Sequence, residues 1–125
     1  MIDFTNATYV KLGAWDPQAA SGELAEVMGQ NEQILLAFKG MRDSVTFTTK
    51  RIIALNVQGM TGKKKDYTSL PYGRVQAFSV ETAGSFDLDS ELDLWFSGLG
   101  KVRLEFNRGV DIRGLGQLLA DYCLS

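Results

Sequence analysis

The spacing of apolar side chains along this chain changes twice. Residues 17–29, "PQAASGELAEVMG", are rich in Ala, Glu, Leu and Met, and Leu24, Val27 and Met28 fall at helical spacing. Ser21, followed by Leu24 and Glu26, gives a helix start without a full capping box, and Gly29 suits the end. A short helix is therefore expected ahead of the main body, whereas "FTNATYVKLGAW" (4–15) fits neither period. From Asn31 the period is two. Ile34, Leu36 and Phe38 alternate on one face, and Val45 and Phe47 do so within "SVTFTT". "RIIALNV" (51–57) is apolar on both faces, as in a central strand. "RVQAFSVE" (74–81), "SFDLD" (85–89), "ELDLWFS" (91–97) and "KVRLEFN" (101–107) follow. In the last two, Leu92, Leu94, Phe96, Val102, Leu104 and Phe106 take the inner face, and Lys101, Arg103 and Glu105 the outer one.

The links "KGMRD", "QGMTGKKKD" and "SGLG" are short and carry glycine, as hairpin connections do, so the sheet is expected to be a mostly antiparallel meander. The second change comes in "VDIRGLGQLLADYCL" (110–124). Ile112, Leu115, Leu119 and Tyr122 form one helical stripe with Leu118 beside it. Seven strands and an amphipathic helix that must bury its stripe on them predict a small curled sheet, a partly open antiparallel barrel capped by one helix.

Composition narrows the function more than the fold. The 125 residues are 45% hydrophobic and 22% charged, enough for one domain with an ordinary core. A net charge of -2 gives no general attraction to nucleic acid or anionic membranes, so any anion site has to be local. With one cysteine, Cys123, no internal disulfide can form. No signal or lipidation motif is evident, and stretches such as "ILLAF" (34–38) are too short to span a bilayer. The expectation is a soluble, cytoplasmic protein. Histidine is absent, which removes the commonest general base and metal ligand. No catalytic constellation, cofactor motif or metal site replaces it, so the chain is read as a non-enzyme.

The words of the sequence point further. "RDSVTFTTKRIIALNVQGMTGKKKDYTSLPYGRVQAFSVETAGSFDLDSELDLWFSG" (42–98) closely resembles the bacterial PH-like (pleckstrin homology-like) domain family. That family's recurring features, a "TxKRII" strand, "QGxTGKK", "S(I/L)PY", "FSVETAG" and "FDxDSELxLW", are all present in order, with Met60 and Leu70 as variants. The resemblance runs from Glu32 to about Asn107 and more loosely through the last helix. The first 30 residues share only a helical lead-in. The resemblance implies a PH-like domain over residues 31–125 behind a helical lead-in at 1–30. It also implies a protein able to assemble into cyclic rings of itself.

"TGKKKDYTSLPY" (61–72) tempts a phosphate-loop reading that fails. Gly59 and Gly62 are too close, Lys64 stands where Ser or Thr belongs, and a strand follows where a helix is required. A lipid-headgroup reading uses Lys39 and Arg42 from "KGMRD" with Lys63, Lys64 and Lys65, because in a PH-like fold these loops share one open end. Against it, "SVTFTT" offers hydroxyls where eukaryotic relatives carry basic residues, and Asp43 and Asp66 dilute the charge. The plainer reading is a solvated hairpin tip whose lysines deter edge pairing.

"FDLDSELD" (86–93) places Asp87, Asp89, Glu91 and Asp93 at alternate positions. Leu92 and Gly98 stand where a calcium loop needs glycine and glutamate, so a charged outer strand face is the better reading. Trp95 continues that polar face. Either a terminal segment covers it, or it meets another protein, tryptophan being enriched at binding hot spots. Gly84, in "TAG" (82–84), leaves room for a second backbone. Cys123 reads as a structural thiol, and Pro71 as a mark of an edge strand or bulge. The functional expectation is a self-assembling protein-interaction scaffold using Trp95, Asp93, Glu91 and Gly84, with copies of itself and an unidentified protein as partners. The alternative is an anionic-lipid headgroup module.

Overall fold

A computed structural model describes residues 1–82 and 89–124. Among these residues eight strands form one sheet: β1 (Ala7–Ala14), β2 (Ile34–Lys39), β3 (Ser44–Thr48), β4 (Arg51–Gln58), β5 (Lys64–Pro71), β6 (Val75–Glu81), β7 (Ser90–Phe96) and β8 (Gly100–Phe106). The helices are α1 (Pro17–Glu23) and α2 (Ile112–Cys123). The spatial order is β5-β4-β3-β2-β1-β8-β7-β6, so β5 and β6 are the edges, joined by a 3-10 turn at Tyr72–Arg74. Pro71 closes β5 on that edge, where its missing N–H costs no ladder bond.

The expected curled sheet capped by a helix is present, with one strand more than the seven expected. Two of the eight were not among those seven, β1 from the undecided stretch 4–15 and β5 behind the 59–63 loop. β1 runs antiparallel to β2 and parallel to β8, so it sits in the middle of the sheet and joins its two halves. The first 30 residues thus contribute a central strand as well as a helix, and a boundary at residue 30 cuts through the sheet. α1 is shorter than expected and starts earlier. Asp16 caps it by accepting from Gln18 N at 3.1 Å, Pro17 takes the first turn, and Ser21 lies inside. The strand expected at 85–89 falls, Asp89 apart, outside the described residues.

The barrel interior holds the main core: Leu12, Phe38, Phe47, Ile52, Leu92, Leu94, Leu104 and Phe106 are buried there, and Ile112, Leu115 and Leu119 of α2 close one end. Tyr72 anchors the same closure, donating to Thr48 O at 2.7 Å with its ring 5.0 Å from that of Tyr122. A second, smaller cluster of Leu24, Ile53 and Leu55 lies on the other face of β4. This explains why "RIIALNV" is apolar on both sides. Ile34 joins this second cluster, not the inner face with Leu36 and Phe38. A register shift between Ile34 and Leu36 turns it over.

Candidate functional site

Strand directions decide what gathers at each end of the barrel. β2, β3 and β4 alternate, which puts the 40–43 and 59–63 loops at one end. β1 starts at that end because it opposes β2, and β8 starts there because it parallels β1, so the 97–99 turn joins them. Glycines make these turns possible. Gly59 and Gly62 hold φ of +80° and +68°, and Gly62 N donates to Gly59 O at 3.3 Å, which sets Met60 at the tip. Gly40 is pinned for another reason, since a Cβ there would lie 2.9 Å from Val10 O of β1.

The five basic residues expected to form a headgroup site share this end, but they do not converge. Arg42 donates to Gly59 O at 2.6 Å and ties the two loops together. Lys39 Nζ lies over the Trp15 ring, 5.0 Å from its centroid. Lys65 pairs with Glu23 at 2.8 Å, and that carboxylate raises its pKa. Lys63 and Lys64 are exposed and form no ion pair among the described residues. A cavity of about 350 Å³ opens at the same end, lined by Asp3, Asn6, Thr8, Tyr9, Asp43 and Asn56 among others, with no lysine or arginine in its wall. Its inner wall is set by Tyr9, whose hydroxyl donates to Asn56 Oδ1 at 2.8 Å, and by Asp43, which accepts from Val57 N at 2.9 Å. Burial pushes the Tyr9 pKa up to about 12, so the phenol stays protonated there.

The outer face of β6, β7 and β8 is the second candidate. In its register Trp95 stands between Ala77 and Lys101, Asp93 between Ser79 and Arg103, and Glu91 between Glu81 and Glu105. Arg103 binds Asp93 at 3.1 Å and Glu105 at 3.1 Å, and also pairs with Glu91. Glu105 first, then Asp93 and Glu91, hold its guanidinium charged. Glu91 and Asp93 are therefore engaged with a cation and not free for an ion. Trp95 is 37% exposed, with Lys101 Nζ 5.8 Å from the ring centroid. Helix α2 packs on the 3-10 turn, β6 and β7 with Leu115 and Leu119 buried, and it leaves the indole uncovered. Gly84 and Asp87 lie outside the described residues.

The same order of strands and closing helix is what the quoted motifs imply, and a family model described as "Bacterial PH domain" matches residues 3–123. The chain belongs to the bacterial PH domain family. The match begins at residue 3, in keeping with the place of β1 inside the sheet. This bacterial PH domain is 44% identical over 108 residues to an uncharacterized protein, YjqA, of Bacillus subtilis (strain 168), covering 85% of this chain and 86% of that one. It resembles the crystal structure of a protein with a pleckstrin-homology domain from Shewanella loihica PV-4, with TM-score 0.79, 40% identity, and 92% and 99% of the two chains covered. A pleckstrin homology domain from Shewanella amazonensis SB2B matches with TM-score 0.68 and 44% identity over 89% and 90% of the chains.

Two features of the PH domain were not read from its sequence. One is the Tyr9–Asn56–Asp43 wall, which depends on β1. The other is that single apolar residues crown the loops: Met41 is 96% exposed and Met60 fully so. Both sit in links read only as hairpin turns, and their spacing from glycine was the available signal. No helix among the described residues is long and apolar enough to cross a membrane.

Proposed function

We propose that this bacterial PH domain is a non-catalytic protein-interaction module that assembles with copies of itself through the outer face of β6, β7 and β8, and so serves as a scaffold or adaptor. The observation that carries the reading is Trp95. A large amphipathic ring, 37% exposed, lies on the outer strand face beside Ala77, whose small side chain leaves space above the sheet for a partner. The polar groups around it are already matched, because Arg103 ties Glu91, Asp93 and Glu105 together. Such a patch can be covered at little desolvation cost to unpaired charge. The closed ring expected from the family resemblance suits a head-to-tail contact of this kind, which closes when its rotation permits.

Light scattering over a concentration series tests it. The wild-type chain is expected to sediment and scatter as a multimer. Trp95→Ala is expected to raise the dissociation midpoint roughly thirtyfold, as loss of a hot-spot side chain does. A monomer at high micromolar concentration, or an unchanged midpoint in Trp95→Ala, would overturn the reading.

A further inference from the structure

We propose that the free edge of β6, with the side of α2 next to it, takes up an extended peptide from a partner protein as a further strand of the sheet. The inference rests on the adaptor reading and not on its assembly contact, and it says what the adaptor holds. β5 and β6 are the two edges of the sheet, and they are finished differently. On β5 the inward side chains Thr68 and Leu70 are buried, and the N-terminal segment lies beside them, Ile2 N donating to Thr68 Oγ1 at 3.2 Å. Lys64 and Lys65 open that strand and Pro71 closes it, and such residues guard an edge against pairing. β6 has no lysine, no proline and no inward charge over Val75–Glu81. Its inward side chains Phe78 and Val80 are only half-buried, although their ladder partners Leu94 and Leu92 are fully buried. Position accounts for the difference. Leu92 and Leu94 have a strand on either side, whereas among the described residues no strand pairs with the far side of β6.

The chemistry of this edge sets what can cover it. β6 pairs with β7 without interruption from Ala77 to Glu81, the register shift falling earlier, between Val75 and Ala77. Alternate residues of that run turn their N–H and C=O groups away from β7, and an extended backbone satisfies both kinds in sequence. Side chains of an added strand alternate likewise. One set falls beside Phe78 and Val80 and is apolar. The other falls beside Ala77 and Ser79 on the outer face and is small or polar. Helix α2 leaves room for the first set. Gly116 lies so near β6 that a Cβ there would be 3.2 Å from Val80 Cγ2, and Ala120, one turn on, is exposed. Glu81 ends the strand exposed and in no ion pair among the described residues, so a basic residue suits that end of the peptide. A second copy is the poorer occupant, since its β5 is guarded and its β6 holds no cation to meet Glu81.

Panning a phage library of random peptides, about twelve residues long and so able to span β6, on the full chain tests the proposal. Selected sequences are expected to carry apolar residues at every second position. A synthetic copy of one, once bound, is expected to slow amide hydrogen exchange at alternate residues of Ala77–Glu81 at least about tenfold. Val80→Lys puts a charge on the inward side of the edge and is expected to weaken that peptide about thirtyfold. Ser79→Lys, on the outer face of the same strand, is expected to weaken it by no more than about threefold. Ala120→Trp fills the room beside the edge from an exposed site, away from the core, and is expected to weaken it about tenfold. A library that yields no binder, selected sequences with helical spacing, or protection away from β6 would overturn the proposal. So would a Val80→Lys chain that binds like the wild type. A dissociation midpoint moved by Val80→Lys in light scattering would instead assign the edge to contact between copies. Trp95→Ala is expected to dissociate the assembly and leave the peptide's affinity unchanged, so failure of one reading is distinguishable from failure of the other.

Discussion

Glu32 ties the turn before β2 to the sheet, and its charge is kept by what surrounds it. Its side chain is almost wholly buried, yet it accepts from Arg51 Nε at 2.9 Å, Arg51 Nη2 at 3.0 Å, Thr48 Oγ1 at 2.6 Å and Gly29 N at 2.8 Å. Arg51 in turn donates to Ser69 Oγ at 2.6 Å and to Val27 O. These bonds, those of Arg51 first, lower the Glu32 pKa from an ordinary 4.5 to about 2. A depressed carboxylate stabilises the fold fully above its unfolded pKa and loses that contribution as pH falls through the folded one. The window is therefore pH 5 down to about 2, and the amount is about 2–3 kcal/mol. Glu32→Gln is expected to lose a similar amount at pH 7, since it leaves Arg51 without its counter-charge. Urea unfolding at pH 7 and pH 3 checks this. The wild type should lose much more stability than Glu32→Gln between the two, and parallel losses would contradict the account.

At the scale of elements, the N-terminal segment explains most of what the sequence concealed. Phe4 crosses the start of β8 and packs edge-on against Phe96 with centroids 5.9 Å apart, and Lys101 N donates to Phe4 O at 3.3 Å. Gly100 is what allows this crossing. It has φ of +139°, and a Cβ there would lie 2.5 Å from Phe4 O. Gly100→Ala is expected to cost about 2–4 kcal/mol in a denaturant titration. Gly73→Ala, where a Cβ would meet nothing within 4 Å, should stay within about 0.5 kcal/mol. Equal effects at the two sites would refute the close approach as the cause. β7 and β8 were legible because their alternation is clean, as in Leu92, Leu94 and Phe96, and β4 because it is apolar on both faces, whereas β5 was not, since it opens on the charged, exposed Lys64 and Lys65. β1 was not, because its register shifts between Tyr9 and Leu12 with Lys11 at φ +54°, and a period of two broken at its midpoint looks like no period. Ile34 was misassigned for the same reason. In the candidate site, Trp95 was legible from alternation, since an aromatic at a solvent-facing register position stands out. The loop methionines were not, because one apolar residue in a turn has no periodic neighbours to give it a face.

Across the whole molecule the sheet carries a core on each side, and β4 belongs to both. Ile52 and Ala54 point into the barrel with α2, whereas Ile53 and Leu55 meet Leu24 behind α1. A strand shared in this way cannot melt on one side only, because the backbone bonds it makes with β3 and β5 serve both clusters. The protein should therefore unfold in one transition, even though its hydrophobic residues fall into two groups. Leu24→Ala and Leu115→Ala remove fully buried side chains from opposite sides, and each is expected to cost about 2–5 kcal/mol. Because the two leucines share no packing partner, the double variant should lose the sum to within about 0.5 kcal/mol. Urea melts followed by both far-UV circular dichroism and tryptophan fluorescence are decisive here. Trp15 reports near α1 and Trp95 on the outer face of β7, so coincident curves in each variant support one cooperative unit. A fluorescence transition in Leu24→Ala that precedes the loss of strand signal would show instead that α1 detaches on its own.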